Sequence, residues 1–178
     1  MSDILASVDA EYRRYKTLAE GALRQVEDAD LGRPGPGGGN SLAVLVWHLS
    51  GNLKSRFTEF LTSDGEKPDR DRDSEFEPRG VSREALLARW EEGWTALFGA
   101  LSPLREVDLA KTVAIRGVSL TVAQALHRSL AHTAYHVGQI VYLAKAFKGG
   151  DWTSLSIPPG KSEAYRLRPD REKGSPGA

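Results

Sequence analysis

Apolar residues recur at three- and four-residue steps over four stretches of the chain, and each stretch predicts an amphipathic helix. In residues 3–28 the stripe is Leu5, Val8, Tyr12, Tyr15, Ala19, Ala22 and Val26, with Glu11, Arg13, Arg14 and Lys16 falling between them toward water. Residues 41–62 carry Leu42, Leu45, Leu49, Leu53, Phe57 and Phe60, after Asn40 or Ser41 as a natural N-cap. A third helix runs from Ser82 to about Leu101 with Leu86, Leu87, Trp90, Trp94, Leu97 and Leu101 inward, Glu84 suited to the positive end of its dipole and Pro103 stopping it. The last runs from 121 to 147. Thr121 and Gln124 form a capping box at its start, and Gly149-Gly150 stops it.

The breaks between these stretches are equally legible. The run Gly32-Arg33-Pro34-Gly35-Pro36-Gly37-Gly38-Gly39 excludes a helix. Residues 63–81 are polar and irregular, and connections beyond about 12–15 residues in compact domains are usually functional or disordered. Val113, Ile115 and Val118 flank Arg116-Gly117 and predict a short β-hairpin, which must pack on the helices to be stable. The fold expected is all-α: a four-helix bundle with a minor β-hairpin before the last long helix. One domain should span 1–165, with Trp152 to Pro159 packed and 166–178 a flexible tail. The short first connection predicts that the first two long helices are antiparallel neighbours. The second connection is long enough to cross the bundle end to end.

Composition narrows the function. Lys and Arg number 24 and Asp and Glu number 24, so the formal net charge is zero. That excludes a general electrostatic grip on nucleic acid and leaves small molecules and proteins as partners. There is no cysteine, hence no disulfide framework, no zinc ribbon and no Cys nucleophile. No stretch reaches the roughly 18 apolar residues of a membrane span, and the acidic start lacks the pattern of a signal peptide. A soluble cytoplasmic protein is expected.

Three of the four histidines stand in a pattern with chemical meaning. His132 and His136 lie four apart on the fourth helix, which puts their Cβ atoms about 5–6 Å apart on one face. Two imidazoles so placed can close on one metal at about 2.0–2.1 Å. Between them stands Thr133-Ala134-Tyr135, so the glutamate of a zincin motif is missing. A third ligand must come from another helix, and His48 borders the inward face of the second. At about 1.5 Å per residue, His48 and His136 fall at comparable heights if their helices are antiparallel. A lone histidine on an apolar face is usually a hydrogen-bonded core residue. His127 is rotated about 140° from His132 and is excluded as a ligand. Three neutral imidazoles would leave coordination positions open for water or substrate, the catalytic pattern. Such a site could acidify a water or ionise a thiol, and zinc, nickel, iron and manganese all accept imidazole.

Longer motifs carry a resemblance. The segment Trp47-His48-Leu49-Ser50-Gly51-Asn52 continues through Ser55-Arg56-Phe57, Phe60 to Pro68 and Arg72-Asp73-Ser74-Glu75-Phe76. It is followed by His132-Thr133-Ala134-Tyr135-His136-Val137-Gly138-Gln139-Ile140-Val141 and by Trp152 to Ser162. Across about 4–165 the chain resembles the DinB/YfiT-like superfamily, in its DUF1572-type branch. The resemblance implies a bundle of up-down-down-up topology and a divalent metal, zinc or nickel foremost, on His48, His132 and His136. It also implies a homodimer. Some relatives use low-molecular-weight thiols, as mycothiol-dependent isomerases or bacillithiol S-transferases. Others are described as metal-dependent hydrolases. The expected function is a metal-dependent, thiol-using S-transferase acting on small electrophiles. The alternatives are a metal-dependent hydrolase and a non-catalytic dimeric module that binds metal or a small ligand.

Several polar residues are candidates for the catalytic surroundings. Asn52 lies one turn after His48, and Arg56, one turn further, could meet an anion bidentately, although a salt bridge is its commoner role. Gln139 could hold a neighbouring helix or a metal-bound water. The loop from Asp64 to Phe76, with Glu66, Asp73 and Glu75, could fold over the cleft and bring a carboxylate as general base, where such charge runs are more often solvated. Trp47, Trp90, Trp94 and Tyr135 suit the core or a cleft wall.

Overall fold

The computed structural model describes residues 3–169, and the expected tail beyond 169 lies outside them. The chain is mostly helical. The helices are α1 (Asp3–Leu23), the short α2 (Asp28–Leu31), α3 (Leu42–Phe57), α4 (Arg83–Leu101), α5 (Val122–Lys148) and the short α6 (Ser162–Leu167). Before α5 lies the antiparallel hairpin β1 (Thr112–Ile115) and β2 (Val118–Thr121), with Thr112 paired to Thr121 and Ile115 to Val118.

The expected helix starts are realised by their caps. Ser41 Oγ accepts from the Val44 amide, Ser82 Oγ from Ala85, and Thr121 and Gln124 bond reciprocally. Two helices end earlier than their apolar stripes suggest. At the end of α1 the Arg83 guanidinium donates to the carbonyls of Leu23 (2.8 Å) and Val26 (2.7 Å), which satisfies groups a continuing helix would have used. Val26 stays buried although it follows the helix. At the end of α3, Thr58 is extended and Glu59 takes a φ of 50°. That turn still delivers Phe60 to the core, 5.0 Å from Phe57 between ring centroids. The stripe therefore records burial through a turn as well as helix.

Trp90, Trp94, Tyr12, Leu49 and Leu53 are among the fully buried residues around which the long helices pack. Tyr12 stands edge-on to both Trp94 and Phe57 at 6.4 Å, and its hydroxyl donates to the Leu126 carbonyl. The main neighbours of α1 are α5 and α4, and those of α3 are α4 and α5. The expectation that α1 and α3 are neighbours is thus corrected. Residues 24–41 hold α2 and a 3-10 turn at Pro36–Gly38, enough chain to carry α3 past α1's immediate neighbours to the position across the core, where Phe57 meets Tyr12. Lys16 pairs with Glu91 and the Leu23 carbonyl with Arg83, so α1 and α4 contact in opposite sense. Trp47 lies under Arg89 and Ser50 against Gly93, so α3 and α4 contact in the same sense. The connection between those two must then travel the length of the helices, as its size suggests.

The hairpin turns on Arg116 (φ 55°) and Gly117 (φ 72°), the doubly left-handed geometry of a two-residue hairpin. The Asp64 carboxylate accepts both of their amides at 2.8 Å, and the Gly65 amide donates to the Ala114 carbonyl at 2.8 Å. The long connection therefore anchors the ribbon that could not stand alone.

α4 meets α3 closely at Gly93, where an added Cβ would meet the Cα and carbonyl oxygen of Ser50 at 2.8 Å. Backbone cannot yield as a side-chain tip can. Gly93→Ala should destabilise the protein by about 1–3 kcal/mol, seen as a lower urea midpoint with unchanged slope.

Candidate metal centre and its cavity

His48 comes from α3, and His132 and His136 from successive turns of α5. The Nε2 atoms of all three converge. That of His132 lies 3.1 Å from His136 Nε2 and 3.4 Å from His48 Nε2, and all three fall within 4.8 Å of one another. Three nitrogens about 2.0–2.1 Å from one tetrahedral ion stand about 3.3–3.4 Å apart. The two short separations fit that edge, so these rings could hold a metal ion. His48 and His136 are buried and His132 is half-buried.

The tautomers follow from the outer partners. His48 Nδ1 donates to Glu75 Oε2 at 2.9 Å, and His136 Nδ1 donates to Gln139 Oε1 at 2.8 Å. Each bond leaves the Nε2 lone pair directed at the common point, the usual arrangement for a ligating imidazole. His132 Nδ1 is buried without a hydrogen-bond partner among the described residues. Burial, followed by the neighbouring imidazoles of His136 and His48, pushes His132 down to about 3. Burial and then His48 push His136 down to about 4, against the pull of the Gln139 bond. Both rings are therefore neutral at pH 7, as metal ligands must be.

The irregular connection supplies the device that holds His48. A 3-10 turn, Asp73–Phe76, places Glu75 at 3% exposure beside α3. Burial alone would raise this carboxyl, but the Arg70 fork, at 2.8 Å to each oxygen, and His48 outweigh it and hold Glu75 below the usual carboxylate range. Arg70 also reaches Glu66 at 3.5 Å. Phe76 lies against the His48 ring at 4.5 Å. The glycine at residue 51 leaves room for this approach, since a Cβ there would collide with Glu75 Oε1.

The three histidines open onto a cavity of about 360 Å³ between α3, α5, the hairpin and the connection. Asn52 and Arg56 line it as the helical spacing suggests. Arg56 is engaged there, donating to Glu66 at 2.9 Å and to the Gly65 carbonyl. Asp73 is not brought to the site, its side chain being 98% exposed. Glu75 is present, but as the orienting partner of a ligand in place of a free base. Gln139 Oε1 likewise holds His136. Of the aromatics, Trp90 and Trp94 are core, Trp47 is partly buried beneath Arg79, and Tyr135 lines the cavity. His127 is exposed and stands apart.

Arg128 and the hairpin wall were the parts that sequence reasoning missed. Arg128, four before His132, was within reach of the helical period; the hairpin residues Val113 and Ile115 became wall only through the fold.

The family model described as a protein of unknown function, DUF1572, matches residues 1–161. The chain belongs to the DUF1572 family. No curated protein and no solved structure matches it. Family membership thus supplies no reaction, and the chemistry of this DUF1572 protein must be argued from its residues. No helix among those described is long and apolar enough to cross a membrane.

Glu75→Gln keeps the shape but removes the charge behind His48, and should weaken zinc binding by about 10–100-fold in competition with a chromogenic chelator. Gly51→Ala, which deletes no named side chain but puts a methyl where the Glu75 carboxylate sits, should do the same. A second prediction concerns acid. The unfolded chain protonates His132 and His136 below about 6.5, whereas the folded, metal-free protein does not until near 3 and 4. Their contribution to stability is therefore complete above about 6.5 and falls as the pH drops toward 4. Urea midpoints of the chelated protein between pH 6.5 and 4.5 should decline less steeply for His132→Leu than for the parent chain.

Proposed function

We propose that this DUF1572 protein is a metal-dependent enzyme that brings a low-molecular-weight thiol to a small electrophile, using a divalent ion held by His48, His132 and His136. The observation that carries the reading is the convergence of three Nε2 lone pairs at the wall of a cavity large enough for a substrate. Three protein ligands leave positions for an exchangeable group. A divalent ion bound there supplies the Lewis acidity that ionises a thiol near neutral pH. The chain's own residues do the rest. Glu75 and Gln139 fix two of the rings, and Phe57, Phe60 and Phe76 give the cavity apolar walls that limit water.

Water activation with a protein base is the less favoured reading, because none of the described side chains lining the cavity is a carboxylate. The DinB-type frame is part of the proposal. The opposite sense of α1 and α4, with the same sense of α3 and α4, supports a four-helix bundle of up-down-down-up topology. Tyr12 meeting Leu126 and Glu27 meeting Lys148, which carry α1 and α5 in one direction, support it too.

The native protein should contain about one divalent ion per chain, and His48→Ala or His132→Ala should lose it. Retention of the ion by either variant refutes this ligand set. The loaded protein should conjugate a small thiol to an activated aryl halide, and the chelated protein should not. Metal-dependent ester hydrolysis with no thiol requirement would assign water activation instead.

A further inference from the structure

We infer that the cavity takes a small organic anion and that Arg128 is its anchor. This deepens the proposed function by naming the charge class of its substrate, and rests on that reading only in treating the cavity as the substrate's place. The juxtaposition behind it is four arginines, Arg56, Arg72, Arg116 and Arg128, among the residues lining one cavity whose lining holds no carboxylate among the described residues. In a chain with equal numbers of acidic and basic residues, a wall that excludes one sign is a built electrostatic feature.

The four differ in what already holds them. Arg56 and Arg116 both pair with Glu66, at 2.9 and 3.0 Å, which stands behind the wall. Arg72 lies over the Phe76 ring and is 3.6 Å from the exposed Asp73. Arg128 has no ion pair or hydrogen bond among the described residues. It precedes His132 by one helical turn on the same face of α5. Arg128 and the imidazoles line the same cavity, so an anion that Arg128 holds within it would share that space with His132 and with the apolar walls of Phe57, Phe60 and Phe76. A planar guanidinium meets a carboxylate or phosphate with two parallel bonds, and the apolar walls strengthen that contact. A volume of about 360 Å³ lies at the small end of ligand pockets and suits one substituted ring or a short dicarboxylate.

Isophthalate and isophthalamide share a shape and differ in charge, so calorimetric titration of the full chain with each isolates the anion. Titrations are run on both the chelated and the zinc-loaded protein. Isophthalate should bind both forms at least about tenfold tighter than the diamide, and more weakly as salt rises. Arg128→Gln should cost about tenfold for isophthalate while leaving the diamide, the metal content and the thermal midpoint unchanged. Arg72→Gln should cost less. Equal binding of the two probes, or an unchanged isophthalate affinity in Arg128→Gln, overturns the proposal. Isophthalate binding that vanishes on chelation and ignores Arg128 places the anion on the metal and also overturns it. A chain that takes up no metal yet discriminates the two probes through Arg128 upholds this inference and refutes the metal reading, so the two fail separately.

Discussion

The bond from His48 to Glu75 is the interaction on which the site depends. Both partners are almost wholly buried, and isolated charges in such a place cost several kcal/mol. The carboxylate is tolerated because it is fully used: Arg70 grips both oxygens and His48 donates to one of them. In return it fixes the tautomer of His48 and the direction of its lone pair. Removing any member would leave the others buried and unmatched, which is why a polar loop is held against an apolar helix face. Gly51 makes the approach sterically possible, so backbone and charge are solved together at one turn of α3.

The same connection builds the rest of the chamber. Asp64 closes the hairpin turn through two backbone amides, and three backbone bonds hold its carboxyl down to about 2. Glu66 gathers Arg56, Arg70 and Arg116. Asp64, Glu66 and Glu75 therefore face the segment's own backbone, its arginines and His48, and none of them lines the cavity. A neutral chain acquires a cavity lined by one sign of charge through this sorting, and the sorting costs little because these three acids retain partners.

Orienting partners are distributed unevenly among the three rings. Among the described residues, His48 has a carboxylate, His136 a neutral amide and His132 no partner at Nδ1. A carboxylate behind an imidazole raises its basicity more than an amide does, so the three nitrogens are not equivalent donors. The strongest is the one supplied by α3, which couples any ion to the packing of that helix against α5.

Much of this protein could be read along the chain, because helix period and capping are local. The caps at Ser41, Ser82 and Thr121, the hairpin about Arg116-Gly117, and the pairing of His132 with His136 all follow from residues a few positions apart. His48 was reachable by one further step, matching heights on two helices. The roles of Glu75 and Gln139 were not, since a carboxylate among six acids in a polar loop looks like any solvated charge until the chain's path is known. The early end of α1 was hidden for the same reason, because Arg83 acts on it from about 60 residues away; that of α3 lies at a local turn about Glu59, which the apolar stripe running on to Phe60 concealed. The sequence by itself determined where helices begin and which rings share a face. Only the tertiary structure decided which charges meet them, because a buried ion pair is selected by what remains unsatisfied once the helices have packed.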